Sequence, residues 1–277
     1  MAKDYLTYTN HMGQSVHFGE SGLFIAESEL RDWSNSYESK NGRVTRFYKD
    51  VVEKKLPIVV MADSEDEGKQ LRNELYEIIS VDNESEEYGR LIYNGYEMQC
   101  YCTAIKHSSW LEYLAFGDIE LTVITDKPYW IKKTVEEFKA TDYINTATTA
   151  GGKGYLNGYE YNYGISETNG SIFNPNAYSI GVEIEIFGYA NYPEIKINGH
   201  SYKINYEIPQ YCTATINTLD KTILLKSRNG AEKNLLAYRD STEIFKPIPS
   251  GNSTIIWDKS FDFNLVLLEK RSEPKWI

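Results

Sequence analysis

Four histidines, three cysteines, the glutamates Glu183 and Glu185 and a glycine-rich loop are the parts of this 277-residue chain that could do chemistry. Sugar hydrolysis needs two carboxylates held in different environments, and Glu183 and Glu185 are spaced to share one face of a strand. The same alternation sets them against Val182, Ile184 and Ile186, so they read as residues of the polar, outward face. A nucleophilic triad needs a Ser or Cys with a positioned His and an acid, yet His11, His17, His107 and His200 come with no Gly-x-Ser-x-Gly context. His200 follows Asn198-Gly199 and reads as an exposed hairpin residue; His107, beside Ser108-Ser109, reads as loop or strand edge. Cys100 and Cys102 fall on one strand face with Cβ atoms roughly 7 Å apart, where a bridge would be strained. With Cys212 they form an odd set that cannot supply four zinc ligands, so reduced thiols are expected. The acidic run at 82–87 lacks calcium-loop spacing and reads as solvated loop. Gly151-Gly152-Lys153-Gly154 has no Gly-Lys-Ser/Thr continuation and reads as a linker or arm. No catalytic, cofactor or metal site is expected, and no enzyme.

Binding chemistry has more material. Trp257, Trp276 and the tyrosines offer flat apolar faces of the kind that stack on sugar rings, although Trp257 lies in a β-prone run and reads first as sheet packing. Tyr155, Tyr159, Tyr161 and Tyr163 lie in a Thr/Asn/Gly/Tyr-rich stretch at 141–176 and suit contact residues, since tyrosine gives large area at low entropy cost.

The elements that must hold these residues are mostly strands. Twenty-three tyrosines stand against ten phenylalanines and eight prolines, a composition that favours half-buried pleated surfaces. Alternation at 119–123, 180–186 and 261–267, and Asn-Gly at 94–95 and 198–199 between β-prone runs, predict antiparallel sheets with type I′ hairpins. One helix is expected at about 64–80, with Ser64 and Glu67 in capping-box spacing and Leu71, Leu75, Ile78 and Ile79 forming its apolar stripe. The net charge of −11 argues against general nucleic-acid binding. No apolar run reaches a membrane span and the first five residues lack a secretion core, so neither membrane insertion nor export is expected. The fold class is mainly β, as two antiparallel sandwich-like domains. The expected division is an N-terminal β domain with the helix at 1–135, a connector or arm at 136–177, and a C-terminal β-sandwich at 178–277.

Taken in order, the helix-bearing N-terminal half, Tyr93-Asn94-Gly95-Tyr96, and Asp126-Lys127-Pro128-Tyr129-Trp130 resemble the distal tail protein family of long-tailed phages of Gram-positive bacteria. So do the second-half segments from Asn191 to Gly199, from Ile248 to Asn252, and from Glu269 to Trp276. The resemblance implies a galectin-like C-terminal sandwich and a short form without an inserted carbohydrate-binding module. It implies a structural hub of the tail tip or baseplate, as a hexameric ring made in the host cytoplasm. Implied partners are further copies of the chain, the tail tube protein, a tail-associated lysin or fibre, and a receptor-binding protein. A galectin-like wall-glycan binder using Trp257 is the alternative, and a tail-associated wall hydrolase a second one.

Overall fold

The computed structural model describes residues 6–19, 22–25, 29–107, 115–140 and 170–276. The glycine-rich loop at 151–154, the four tyrosines between 155 and 163, residues 1–5, Ser108, Ser109 and Trp110 lie outside them. The chain divides into two compact units, Met1–Lys132 with Lys270–Ile277, and Lys133–Glu269.

Unit 1 is built from β1 (Leu6–Thr9), β2 (Ser15–Phe18), β3 (Leu23–Ile25), β4 (Ser36–Lys40), β5 (Arg43–Tyr48), β6 (Val52–Met61), α1 (Glu65–Ser85), β7 (Gly89–Tyr93), β8 (Tyr96–His107) and β9 (Phe116–Thr125). All pairings are antiparallel, in the order β2-β1-β7-β8-β9-β6-β3. The twelve-residue β8 serves two neighbours: Tyr96–Cys100 pairs with β7, and the part from Tyr101 onward pairs with β9. The register shifts between Cys102 and Ala104, the kind of irregularity that bends a strand. One core results, filled from alternate positions of β6, β8 and β9 by Leu56, Ile58, Val60, Met98, Cys100, Cys102, Ile119, Leu121 and Val123. The hairpin at Asn94-Gly95 forms as expected, with φ of 51° and 72°.

Helix α1 closes this core with Leu71, Leu75, Ile78 and Ile79. Its start keeps the first half of the capping box, the Glu67 amide donating to Ser64 Oγ, while the Glu67 carboxylate accepts from the Asp63 amide, one residue before the cap. Its end differs from expectation. The first four residues of the acidic run, Asp82 to Ser85, are helical, and the helix stops at Glu86 in the left-handed conformation. Position 82 lies four beyond Ile78 and three beyond Ile79, so it continues the buried stripe. Asp82 is 0% exposed: Tyr8 Oη donates to it at 2.5 Å, the His11 amide at 2.8 Å, and His11 Nδ1 lies 2.6 Å away. Asn10 Nδ2 adds a bond to the Ile78 carbonyl. Polar residues thus pin the β1–β2 turn to the helix. A Cβ on Gly89 would overlap both Tyr8 Oη and Asp82 Oδ2. Gly89→Ala is therefore expected to lower stability by about 2 kcal/mol or more, read as a reduced urea midpoint; an unchanged midpoint would contradict the tight packing here.

Past β9 comes β10 (Trp130–Phe138), its first residue buried, the rest mostly exposed and half of them charged. Unit 2 continues with β11 (Gly170–Asn174), β12 (Gly181–Phe187), β13 (Glu194–Ile197), β14 (His200–Lys203), β15 (Cys212–Asn217), β16 (Thr222–Ser227), β17 (Glu232–Asn234), β18 (Gly251–Ile256) and β19 (Phe263–Arg271). Strands β17-β16-β15-β12-β19 form one antiparallel sheet and β11-β18-β13-β14 the other. Val182, Ile184, Ile186, Ala214, Ile216 and Leu265 from the first sheet share a cluster with Ile172, Ile195, Ile197, Tyr202 and Ile255 from the second. This is a two-sheet sandwich with an aliphatic interior. The strand Gly170–Asn174 lies within the span read as a connector, and residues from Lys270 onward belong to unit 1. Arg31 donates to the Pro274 carbonyl and stacks 3.6 Å over the Trp276 ring, while Lys49 reaches Ser272 Oγ. Those bonds hold the tail.

Candidate assembly surface

The residues that could do chemistry are dispersed and occupied. Glu183 and Glu185 share a face, but Asn217 Nδ2 donates to the first and Asn264 Nδ2 to the second. Burial raises the Glu183 pKa, with Lys133 acting in the opposite sense. Both are half-buried beneath neighbouring strands rather than fully exposed, because each lies on a central strand with an asparagine across the pair. His11 is tied to Asp82, and His17 lies 3.0 Å from Thr7 Oγ1. His200 is half-buried, with Nε2 2.9 Å from the Glu243 carbonyl, and His107 is exposed at the end of β8. Cys100, Cys102 and Cys212 are free thiols. Burial pushes the Cys102 thiol up to about 12 and Cys100 higher still, so both stay protonated and inert at neutral pH. Among the described residues no group of three metal-ligating side chains occurs, and no helix is long and apolar enough to cross a membrane. Trp257 packs edge-on against Phe138 and Phe263, at 5.6 and 5.2 Å, the sheet-packing role expected of it. Trp276 is exposed but carries Arg31 on its face.

The surface that does stand out is β4–β5. Among the described residues these two strands pair only with each other, and their residues are almost all exposed. Asn41 and Gly42 form the turn with φ of 53° and 74°. Tyr37 pairs directly with Phe47, so the two rings share one face of the ribbon, 62% and 67% exposed. Val44, and Trp33 and Val51 just outside the strands, are also exposed. The base of the ribbon is well anchored: Ser36 Oγ donates to Asp50 at 2.7 Å, Lys49 Nζ donates to the Pro128 carbonyl, and the buried Lys54 Nζ donates to the carbonyls of Glu29 and Asp32. A two-stranded ribbon is marginal in water by itself, and large apolar side chains exposed on edge strands are characteristic of interaction surfaces. The Asn41-Gly42 dipeptide is the turn chemistry also found at 94–95 and 198–199, here between flanks that do not alternate.

A second apolar feature lies between α1 and the far half of β8. It is a cavity of about 700 Å³ whose lining joins Leu75, Ile79, Cys102 and Ile105 to the polar Arg72 and Glu84.

No protein-family model matches the sequence, and no curated protein matches it either. Solved structures do. The SPP1 Dit protein, described as a paradigm of the hub adsorption apparatus in phages infecting Gram-positive bacteria, aligns over 96% of this chain and 98% of its own, with a TM-score of 0.55 and 9% identity. A chain of the phage P2 baseplate, in its activated conformation with Ca, aligns over 99% of this chain and 100% of its own, with a TM-score of 0.58 and 16% identity. The Sr form of that baseplate gives 0.58 and 15% over 98% and 99%. The chain has the fold of the phage Dit and baseplate proteins. At such identities it is the fold that is shared, and the Dit-like fold includes both units, since almost the whole of each chain is aligned.

Proposed function

We propose that this chain is a structural hub protein of a phage tail tip or baseplate. The supporting observation is the end-to-end match of both units to Dit and baseplate chains, with little of either chain left over for another module. In this reading six copies close into a ring through unit 1, and the β4–β5 ribbon lies on the neighbouring copy. Such head-to-tail contacts must close to avoid open filaments, and Tyr37 and Phe47 give the ribbon an apolar face to bury. The ring then joins the tail tube protein to a lysin or fibre and to a receptor-binding protein, at the tail tip of a virion assembled in the host cytoplasm. Its work is mechanical: binding, alignment and connection.

Light scattering on the purified chain tests this. A closed multi-subunit ring, with the mass of a hexamer, is expected at micromolar concentration. The double variant Tyr37→Ser/Phe47→Ser is expected to run as a monomer. Losing both rings costs each contact about 3 kcal/mol, roughly a hundredfold in affinity. Its unfolding midpoint as a monomer should match that of the dissociated parent, because both side chains face solvent within one chain. A parent that stays monomeric even with its tail partners present would overturn the reading, as would a double variant that assembles normally.

A further inference from the structure

The loops at one end of the unit 2 sandwich carry three exposed tyrosines. Tyr189, Tyr192 and Tyr211 are 57%, 56% and 67% exposed. They belong to two neighbouring loops, 188–193 and 205–211. Ala190 and Ile208 exchange backbone hydrogen bonds between these loops, and the Gly188 amide donates to the Cys212 carbonyl at 2.9 Å. Tyr189 follows Gly188 and Tyr211 precedes Cys212, so that bond brings the two side by side. A Cβ on Gly188 would overlap the Pro209 carbonyl, which shows the loops pressed backbone to backbone. Two of the three tyrosines also sit in the left-handed region, Tyr192 at φ 47° and Tyr211 at 65°. Bulky residues seldom adopt that conformation, and such strain concentrates at sites where a side chain must be aimed. Nothing in the sandwich core requires a tyrosine at either position, since both rings lie outside it.

The chemistry around the rings narrows the partner. Asn191, Glu207 and Gln210 are exposed in the same loops, and the charge of the Glu207 carboxylate raises the Tyr189 pKa. The aliphatic residues of these loops, Ala190 and Ile208, are buried. A protein interface of this size has an aliphatic or aromatic centre closed off by a rim; this surface instead alternates flat aromatic faces with amide and carboxylate groups. Apolar faces of sugar rings stack on the first, and sugar hydroxyls hydrogen-bond to the second. The chain's net charge of −11 and the Glu207 carboxylate oppose a polyanion. We infer that Tyr189, Tyr192 and Tyr211 form a binding surface for a neutral saccharide. The inference does not depend on assembly into a ring, because every residue of the surface comes from one copy of unit 2.

Saturation-transfer NMR on the full chain tests it, with cellotetraose, chitotetraose and galactotetraose as neutral probes and glycerol-phosphate oligomers as the anionic one. Transfer to at least one neutral probe is expected, with affinity on the order of millimolar for a shallow site, and none to the anionic probe. Tyr192→Gly and Tyr211→Gly should each weaken that binding about tenfold, the scale of one aromatic contact. Neither should lower the thermal midpoint, because glycine adopts the left-handed backbone without strain. Tyr178→Ala, at the opposite end of β12, should leave binding unchanged. No transfer to any neutral probe, transfer confined to the anionic one, or binding that survives both glycine variants would overturn the inference.

Discussion

Replacing Asp82 with alanine is expected to cost unit 1 about 3–5 kcal/mol, a large fraction of the stability of an ordinary domain. The carboxylate is fully buried and takes hydrogen bonds from Tyr8 and from the backbone of His11, with the His11 ring beside it. Truncation strands those groups. Tyr8 is itself 0% exposed, so its hydroxyl cannot turn to water, and an unsatisfied buried donor costs about 1–3 kcal/mol. Tyr8→Phe, which removes one donor and leaves Asp82 bonded to His11, should cost only about 1–2 kcal/mol. The double variant should cost less than the sum, because the two changes remove one shared interaction. Urea unfolding of the four proteins measures the cycle. An Asp82→Ala loss below about 1 kcal/mol would show that this carboxylate does not bridge turn and helix.

The same residue shows what was legible in the sequence and what was not. The helix, its cap and its stripe could be read because Leu71, Leu75, Ile78 and Ile79 repeat with the helical period. The stripe's last member is an aspartate, and a polar letter at a buried position ends the pattern for a reader although not for the chain. What makes Asp82 affordable inside is Tyr8, seventy-four positions away, and no local pattern announces such a partner. The run Val44 to Tyr48 is legible as a strand, but its partner β4 is not: strand reading relies on one face being buried, and Ser36–Lys40 buries neither. Strand β10 is likewise hidden by its charged, exposed residues. The sandwich strands of unit 2 were plain because each buries one face, as Val182, Ile184 and Ile186 do. The return of the tail to Arg31 spans 243 positions. The strained tyrosines depend on φ, which sequence does not carry.

Unit 1 is also expected to lose stability steeply in alkali. Burial raises the pKa of Tyr8, Cys100 and Cys102; Asp82 reinforces the shift at Tyr8, and Cys102 at Cys100. All three are acids held neutral in the fold. Once the pH exceeds their unfolded values, about 8.5 for the thiols and 10 for tyrosine, the unfolded chain releases these protons while the native chain keeps them. Each group then contributes a loss of about 1.4 kcal/mol per pH unit. That stability is complete below about pH 8.5 and disappears as pH rises towards the folded values, the Cys102 thiol ionising at about 12. Lys49 and Lys54 work in the other direction: burial lowers both, so loss of their protons favours the fold until the unfolded lysines also titrate near 10.5. The urea midpoint should therefore hold to about pH 8.5, slope gently downward, and fall most steeply above about 10.5, where the lysine effect is spent. Cys100→Ala/Cys102→Ala should remove the fall between about pH 8.5 and 10, where the thiols are the only ones of the three acids to contribute. Unit 2 has one comparable group among its described residues, Tyr202, raised to about 12 by burial. Loss of structure around Trp130 in unit 1 should therefore precede loss around Trp257 in unit 2. A midpoint independent of pH from 8 to 11, or unit 2 opening first, would mean that these three side chains already meet water in the native state.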